Sequence, residues 1–377
     1  MHAITIIYRC SNDDTLIQNY DLEGKYLILL ESAVTTSPNP FLQGKIQLKL
    51  YYYDLIKQVK TPFLNTINLP NSITDDRLFV RNLKVINNDT IGPIVIINTM
   101  NELQFLSDET TGFKFIWSLE NIQDQIYSMD VFEHDSTSNI IGFTVGTKMG
   151  QLIQLRLNLN SQSVKLVKKV NTMDSINHVV IHNDTYGFVS FDNFFYFHIK
   201  DHLERQTCSL PWLNDDDDED CDGTLEQTVT SVDIATIDKY SKSQIVYALC
   251  HITNFGCVLF KRPIRGNWEF MKSFRKEIIP GYNETSPLLD CKIISDPINT
   301  TRYLIVSGSE CGKLYIWKYD FNENEIIGEG KFVIASNEEN DALVYNFAVD
   351  KEYNKLIFID KNNCQINSVS IDNISVM

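Results

Sequence analysis

One short pattern recurs along this chain and narrows its possible folds more than any other feature. A small or turn-forming residue is followed by one spacer and then by apolar residues at alternate positions. It reads "GKIQLKLYYY" at 44–53, "NELQFLS" at 101–107, "GQLIQLRL" at 150–157, "NFFYFHI" at 193–199, "GCVLFKR" at 256–262, "GKLYIWKY" at 312–319 and "CQINSVSI" at 364–371. Alternation with a period of two marks a strand with one buried face. Glycine or asparagine ahead of it supplies the backbone conformation that a tight hairpin requires. The seven starts are about 43 to 63 residues apart.

The neighbourhoods of these units share a grammar. "LLDCKII" (288–294), "RYLIVSG" (302–308), "GKLYIWKY" (312–319) and "EIIGEGKFVI" (325–334) form one quartet. "QIYSMDVF" (125–132), "NIIGFTVGT" (139–147), "GQLIQLRL" (150–157) and "SVKLVKKV" (163–170) form another. In both, a short turn flanked by glycine joins the second and third pieces. Short strands at such spacing indicate an all-β chain. Repeats of four strands at roughly 40–45 residues are the mark of propeller blades. The expectation is therefore a seven-bladed β-propeller of four-stranded antiparallel blades, with residues 1–377 as a single domain. A pair of β-sandwich domains is the alternative, and the regular recurrence weighs against it.

The pattern resembles the WD40-repeat family, whose blades often end their third strand in Trp-Asp. Here Trp317-Lys318 stands at that place, and no repeat opens with the family's Gly-His pair. The family's buried His–Asp–Ser/Thr–Trp hydrogen-bond set is therefore not transferred to residues of this chain. In WD40-like proteins the N-terminal strand commonly completes the last blade. The final repeat here has three strand-like runs, and "HAITIIYR" (2–9) is a spare one. The resemblance thus implies that residues 3–8 pair beside 364–371 and close the ring, which would also remove an exposed edge.

Charge and composition exclude several classes. Acidic residues number 49 against 33 basic ones, a formal charge of −16. Such a surface repels phosphate backbones, so nucleic acid is not expected as the main ligand. The start, "MHAITIIYRC", lacks the basic n-region and long apolar run of a signal peptide, and no apolar run reaches the length of a membrane span. The eight cysteines have no CxxC spacing and read as reduced core residues, so an intracellular location, nucleus or cytoplasm, is expected.

Candidate contact residues lie mainly outside the repeats. The acidic run at 214–223, "NDDDDEDCDG", includes Asp215, Asp216, Asp217, Asp218, Glu219 and Asp220. At that density like charges stay solvated, so it reads as a loop or as a docking segment for a basic partner. Asp218, Asp220, Asp222 and Gly223 match the start of a calcium loop, but Val229 stands where the closing glutamate belongs. Trp212 just before the run is an anchor candidate, or a core tryptophan. Lys261, Arg262 and Arg265 open a basic cluster that reads as solvated outer-strand charge, as a contact for an acidic protein surface, or as one for phosphate or lipid headgroups. Phe41 lies in a long loop (30–44) with Pro38 and Pro40.

No catalytic signature is present. His178/His182 and His198/His202 are four apart, but on strands that separation spans about 13 Å. GxSxG, GxGxxG, P-loop and HExxH patterns are absent. No cofactor or metal is expected. The leading expectation is a non-enzymatic protein–protein interaction scaffold within a multiprotein complex. A peptide- or substrate-recognition adaptor of ubiquitin-ligase or chromatin type, and a propeller hydrolase with a site in the central channel, stand as alternatives.

Overall fold

A computed structural model describes residues 4–10, 15–34, 46–64, 67, 82–107, 112–171, 175–182, 186–190, 195–199, 202–206, 229–236, 245–252, 256–263, 268–275, 288–296, 301–309, 311–334, 343–351, 354–360 and 364–376. The contacts divide the chain into two compact units, residues 7–179 and residues 180–377 together with 1–6. Strand β1 (Thr5–Arg9) straddles the division.

The unit of residues 7–179 holds three four-stranded sheets. The first runs β2 (Thr15–Glu23), β3 (Tyr26–Val34), β4 (Ile46–Asp54), β5 (Val59–Pro62). The second runs β6 (Leu83–Ile86), β7 (Ile94–Thr99), β8 (Glu102–Leu106), β9 (Lys114–Ser118). The third runs β10 (Ile126–His134), β11 (Ile140–Thr147), β12 (Gln151–Asn158), β13 (Ser163–Asn171).

The other unit begins with β14 (His178–His182), which also crosses the division, beside β15 (Tyr186–Ser190), β16 (Phe195–Ile199) and β17 (His202–Gln206). Next comes a sheet of β18 (Val229–Thr236), β19 (Ile245–Ile252), β20 (Gly256–Pro263) and β21 (Glu269–Phe274). A further sheet runs β22 (Leu288–Ser295), β23 (Arg302–Ser309), β24 (Lys313–Asp320), with both β25 (Glu325–Ile326) and β26 (Lys331–Ile334) on β24. In the last sheet β27 (Val344–Asp350), β28 (Lys355–Asp360) and β29 (Gln365–Ser370) lie in order, with β1 at the β29 edge. The helix α1 (Ile371–Val376) follows.

The chain is thus an all-β propeller of antiparallel blades, built by consecutive strands except in the last sheet, where β1 joins β27–β29. Among the described residues six blades have four strands, not the expected seven. The exception is the sheet of "EIIGEGKFVI". Read as one strand, that run breaks at Gly328, whose φ of 70° turns the backbone out of line. Glu325–Ile326 and Lys331–Ile334 then pair separately with opposite ends of β24.

Burial follows position within the blade. Every residue of β7 is buried, as are seven of the eight in β11. Such strands have sheets or loops against both faces, so they read as continuous apolar runs. Phe105, Phe143, Leu103 and Leu155 belong to one core between the second and third sheets. In the other unit, Trp317, Tyr315, Tyr319 and Phe274 form a buried aromatic group. The outer β13 is mostly exposed and carries Lys165, Lys168 and Lys169, charges that discourage pairing with another chain at an open edge.

Candidate interaction face

Four inner strands share a register defect, and at three of them it lies where polar side chains bond to the neighbouring blade or the segment leading into it. Pairing slips between Ile17 and Asn19, Ile126 and Ser128, Val229 and Ser231, and Leu288 and Asp290. Each slip places a small polar residue where the strand bends, as bulges do. Ser128 Oγ donates to the Ile176 carbonyl at 3.4 Å. Asp290 accepts from Ser231 Oγ, and from the Asn346 and Phe347 amides at 2.8 and 3.4 Å.

Two residues further along, carboxylates repeat the stitch. Asp21 accepts from the Val85 amide at 2.8 Å, and Asp233 from the Ile293 amide at 2.9 Å. Lysines join them: Lys84 stands 3.3 Å from Asp130 and Lys292 2.8 Å from Asp233. Burial raises the Asp21 pKa, against the pull of Lys84. Burial, and then Asp290, push the Tyr345 phenol up to about 12, so it is neutral near pH 7. These groups spend their capacity on backbone donors and on one another, which suits them to joining blades. Among the described residues no group of three or more His, Cys, Asp or Glu side chains is arranged to hold a metal ion. No helix among them is long and apolar enough to cross a membrane.

A different arrangement occupies one end of the second and third blades, within residues 7–179. The β7–β8 turn, the β9–β10 connection and the β11–β12 turn are tied together by backbone hydrogen bonds. The Ile126 amide donates to Met100 O at 2.6 Å, the Leu119 amide to Asn101 O at 2.9 Å and the Lys148 amide to Gln125 O at 2.9 Å. Beneath them Asp124, 1% exposed, accepts at Oδ1 from the Gln125 and Met149 amides at 2.8 and 3.0 Å. Its Oδ2 is buried and has no hydrogen-bond donor among the described residues. Met100 holds a φ of 51°, which fixes the turn in a conformation side chains seldom adopt.

On this braced base stand three apolar side chains in solvent: Met100 at 36% exposure, Ile122 at 82% and Met149 at 57%. Asn121 Nδ2 lies 3.4 Å from Met149 Sδ. Scattered surface apolar residues need no explanation, but these three stand on turns bonded to one another, a platform of locked backbone that carries exposed side chains.

The sequence pointed elsewhere. Phe41, Trp212, Asp215, Asp216, Asp217, Asp218, Glu219, Asp220 and Arg265 lie outside the described residues. Lys261 and Arg262 fall on β20. Lys261 pairs with Glu269 at 3.4 Å, while Arg262 is buried at 3% exposure. Neighbours on a strand face opposite sides, so this pair divides between surface and interior. Sequence reading missed Met100, Ile122, Met149 and Asp124. The available signal was an isolated apolar residue inside a polar connector, as in "ENIQDQ" and "TKMGQ".

No family model matches the chain, and no curated protein matches its sequence. Solved propellers do match its fold. The structure of U3-55K aligns over 97% of this chain and 98% of its own, with TM-score 0.57 and 7% identity. The WD40 repeats of RRP9 align over 97% of both chains, also with TM-score 0.57 and 7% identity. BBS1N, solved in complex with ARL6DN, aligns over 97% of this chain and 96% of its own, with TM-score 0.57 and 13% identity. The chain is similar to WD40-repeat propellers in fold, at identities that carry the architecture and nothing finer.

Proposed function

We propose that this protein is a non-enzymatic scaffold: one propeller domain, its seven-bladed ring closed by the N-terminal strand, that holds protein partners in an intracellular complex of nucleus or cytoplasm. The observation that carries the reading is the platform of Met100, Ile122 and Met149, where exposed apolar side chains stand on turns locked by backbone bonds. Turns already locked by backbone bonds lose little backbone freedom on binding, so the ordering cost falls on the three side chains alone. The fold's likeness to BBS1N, which was solved with a protein bound, is consistent with it. Sequence alone supports two further contacts: Asp215–Asp220 with Trp212 for a basic partner, and Phe41 for an apolar one. Lys261 and Arg265 are proposed as rim charges toward an acidic surface.

The test is quantitative affinity capture with the tagged protein and its Ile122→Glu/Met149→Glu double variant. Both changes lie on exposed side chains, so the thermal unfolding midpoint should stay within about 2 °C. At least one stoichiometric partner should fall tenfold or more in the variant. Equal recovery of every partner by both proteins would remove the platform from the account.

A further inference from the structure

We infer that this platform receives a linear peptide segment presenting one apolar side chain and, within a few residues, a cationic one. The inference rests on the scaffold reading and specifies its ligand.

The apolar half follows from size and chemistry. Three exposed apolar side chains on turns bonded to one another offer contact to one apolar residue, and two of them are methionines, whose unbranched thioethers adapt to varied shapes. The cationic half follows from Asp124. A buried carboxylate oxygen without a donor is costly unless something supplies one. Asp124 Oδ1 is occupied by two amides, and Oδ2 has no donor among the described residues. The Met149 amide bonded to Oδ1 places this carboxylate directly under the platform. Met149 is 57% exposed and its Sδ accepts from Asn121 Nδ2 at 3.4 Å, so the incoming cation reaches Oδ2 by displacing this surface side chain.

The surrounding charge agrees. In residues 100–102, 118–125 and 147–150 the charged side chains are Glu102, Glu120, Asp124 and Lys148, three acids to one base. The whole chain carries −16, so a cationic segment is drawn toward it and an acidic one repelled.

The experiment is selection of random twelve-residue peptides displayed on phage against the full chain, followed by fluorescence anisotropy on the enriched peptides. Enriched sequences should pair an apolar residue with Lys or Arg. Asp124→Asn keeps the Oδ1 acceptor and removes the charge, so it should weaken these peptides tenfold or more. Replacing the peptide's cation by glutamine should weaken binding to the native protein by a similar factor and to Asp124→Asn hardly at all. Ile122→Glu should weaken every platform peptide. Enrichment of peptides without a cation, equal affinity for native protein and Asp124→Asn, or no enrichment would each overturn the inference. The scaffold reading fails separately, through unchanged partner recovery by the Ile122→Glu/Met149→Glu variant.

Discussion

Lys60 Nζ lies 2.6 Å from Glu31 Oε2, and the Glu31 side chain is only 4% exposed. Tyr8 donates its hydroxyl to Glu31 Oε1 at 2.5 Å, and the ammonium stands 3.8 Å from the centroid of the Tyr51 ring. One buried carboxylate on β3 therefore gathers a phenol from β1 and a cation from β5. Burial, and then the bond to Glu31, push the Tyr8 phenol well above its usual value, so Tyr8 remains a donor at neutral pH.

Removing the cation alone should be far worse than removing both charges. Lys60→Met leaves Glu31 buried without its counter-charge, a loss expected at about 3 kcal/mol. Glu31→Leu together with Lys60→Met should recover more than half of that, because no uncompensated charge is left. Urea unfolding of the two variants gives the comparison. A Lys60→Met variant within about 0.5 kcal/mol of the native protein would show that this pair behaves like an exposed one.

Two glycines mark where one blade's second strand meets the start of the next inner strand. Gly146 pairs with Ser128 and Gly308 with Asp290, equivalent places in the two units. A Cβ on Gly308 would overlap the carbonyl oxygen of Val344, and one on Gly146 would overlap the side chain of Ile176. Backbone yields less readily than a side chain. Gly308→Ala should therefore cost about 3 kcal/mol and Gly146→Ala nearer 1 kcal/mol. Thermal melts of both variants check the order, and a reversed order would contradict the packing.

The strands were legible in the sequence because their signal is local. "GKLYIWKY" and "GQLIQLRL" alternate within themselves, and β24 and β12 follow them closely. The break at Gly328 was not legible, since glycine inside an apolar run fits a strand as well as a turn until its φ is known. The platform was hidden for a different reason. Ile122 and Met149 lie in polar connectors without periodicity, and only bonds such as Lys148 N to Gln125 O bring their turns together. The polar stitching is of the same kind: Asn19, Ser128, Ser231 and Asp290 become comparable only once each pairing slip is known.

Trp317 tests how far the WD40 resemblance extends. It is fully buried, tilted against Phe274 and stacked with Tyr315 at centroid distances of 5.9 and 6.3 Å. Its indole Nε1 has no acceptor among the described residues. The side chain thus acts through packing, as the missing Gly-His and Trp-Asp pairs imply. Trp317→Phe should cost less than about 1.5 kcal/mol, because no hydrogen bond is lost with the indole. Trp317→Ala should cost about 3–5 kcal/mol through the cavity it leaves. If phenylalanine proved as damaging as alanine, the indole N–H would have to be bonded in solution.

His134, at the end of β10, sets an expected pH dependence. Its Nε2 is buried without a hydrogen-bond partner among the described residues. Burial lowers its pKa below the ordinary 6.5, outweighing the opposite pull of Asp135 and Asp89. The unfolded chain then binds a proton here more readily than the folded one. The contribution is fully present above pH 6.5 and is lost as pH falls from there through the folded-state value. His134→Asn removes the titration. The stability difference between native protein and variant should therefore shift in the variant's favour as pH drops from about 7.5 to 5.5. Urea midpoints across that range measure it, and parallel curves for the two proteins would show that His134 titrates alike in both states.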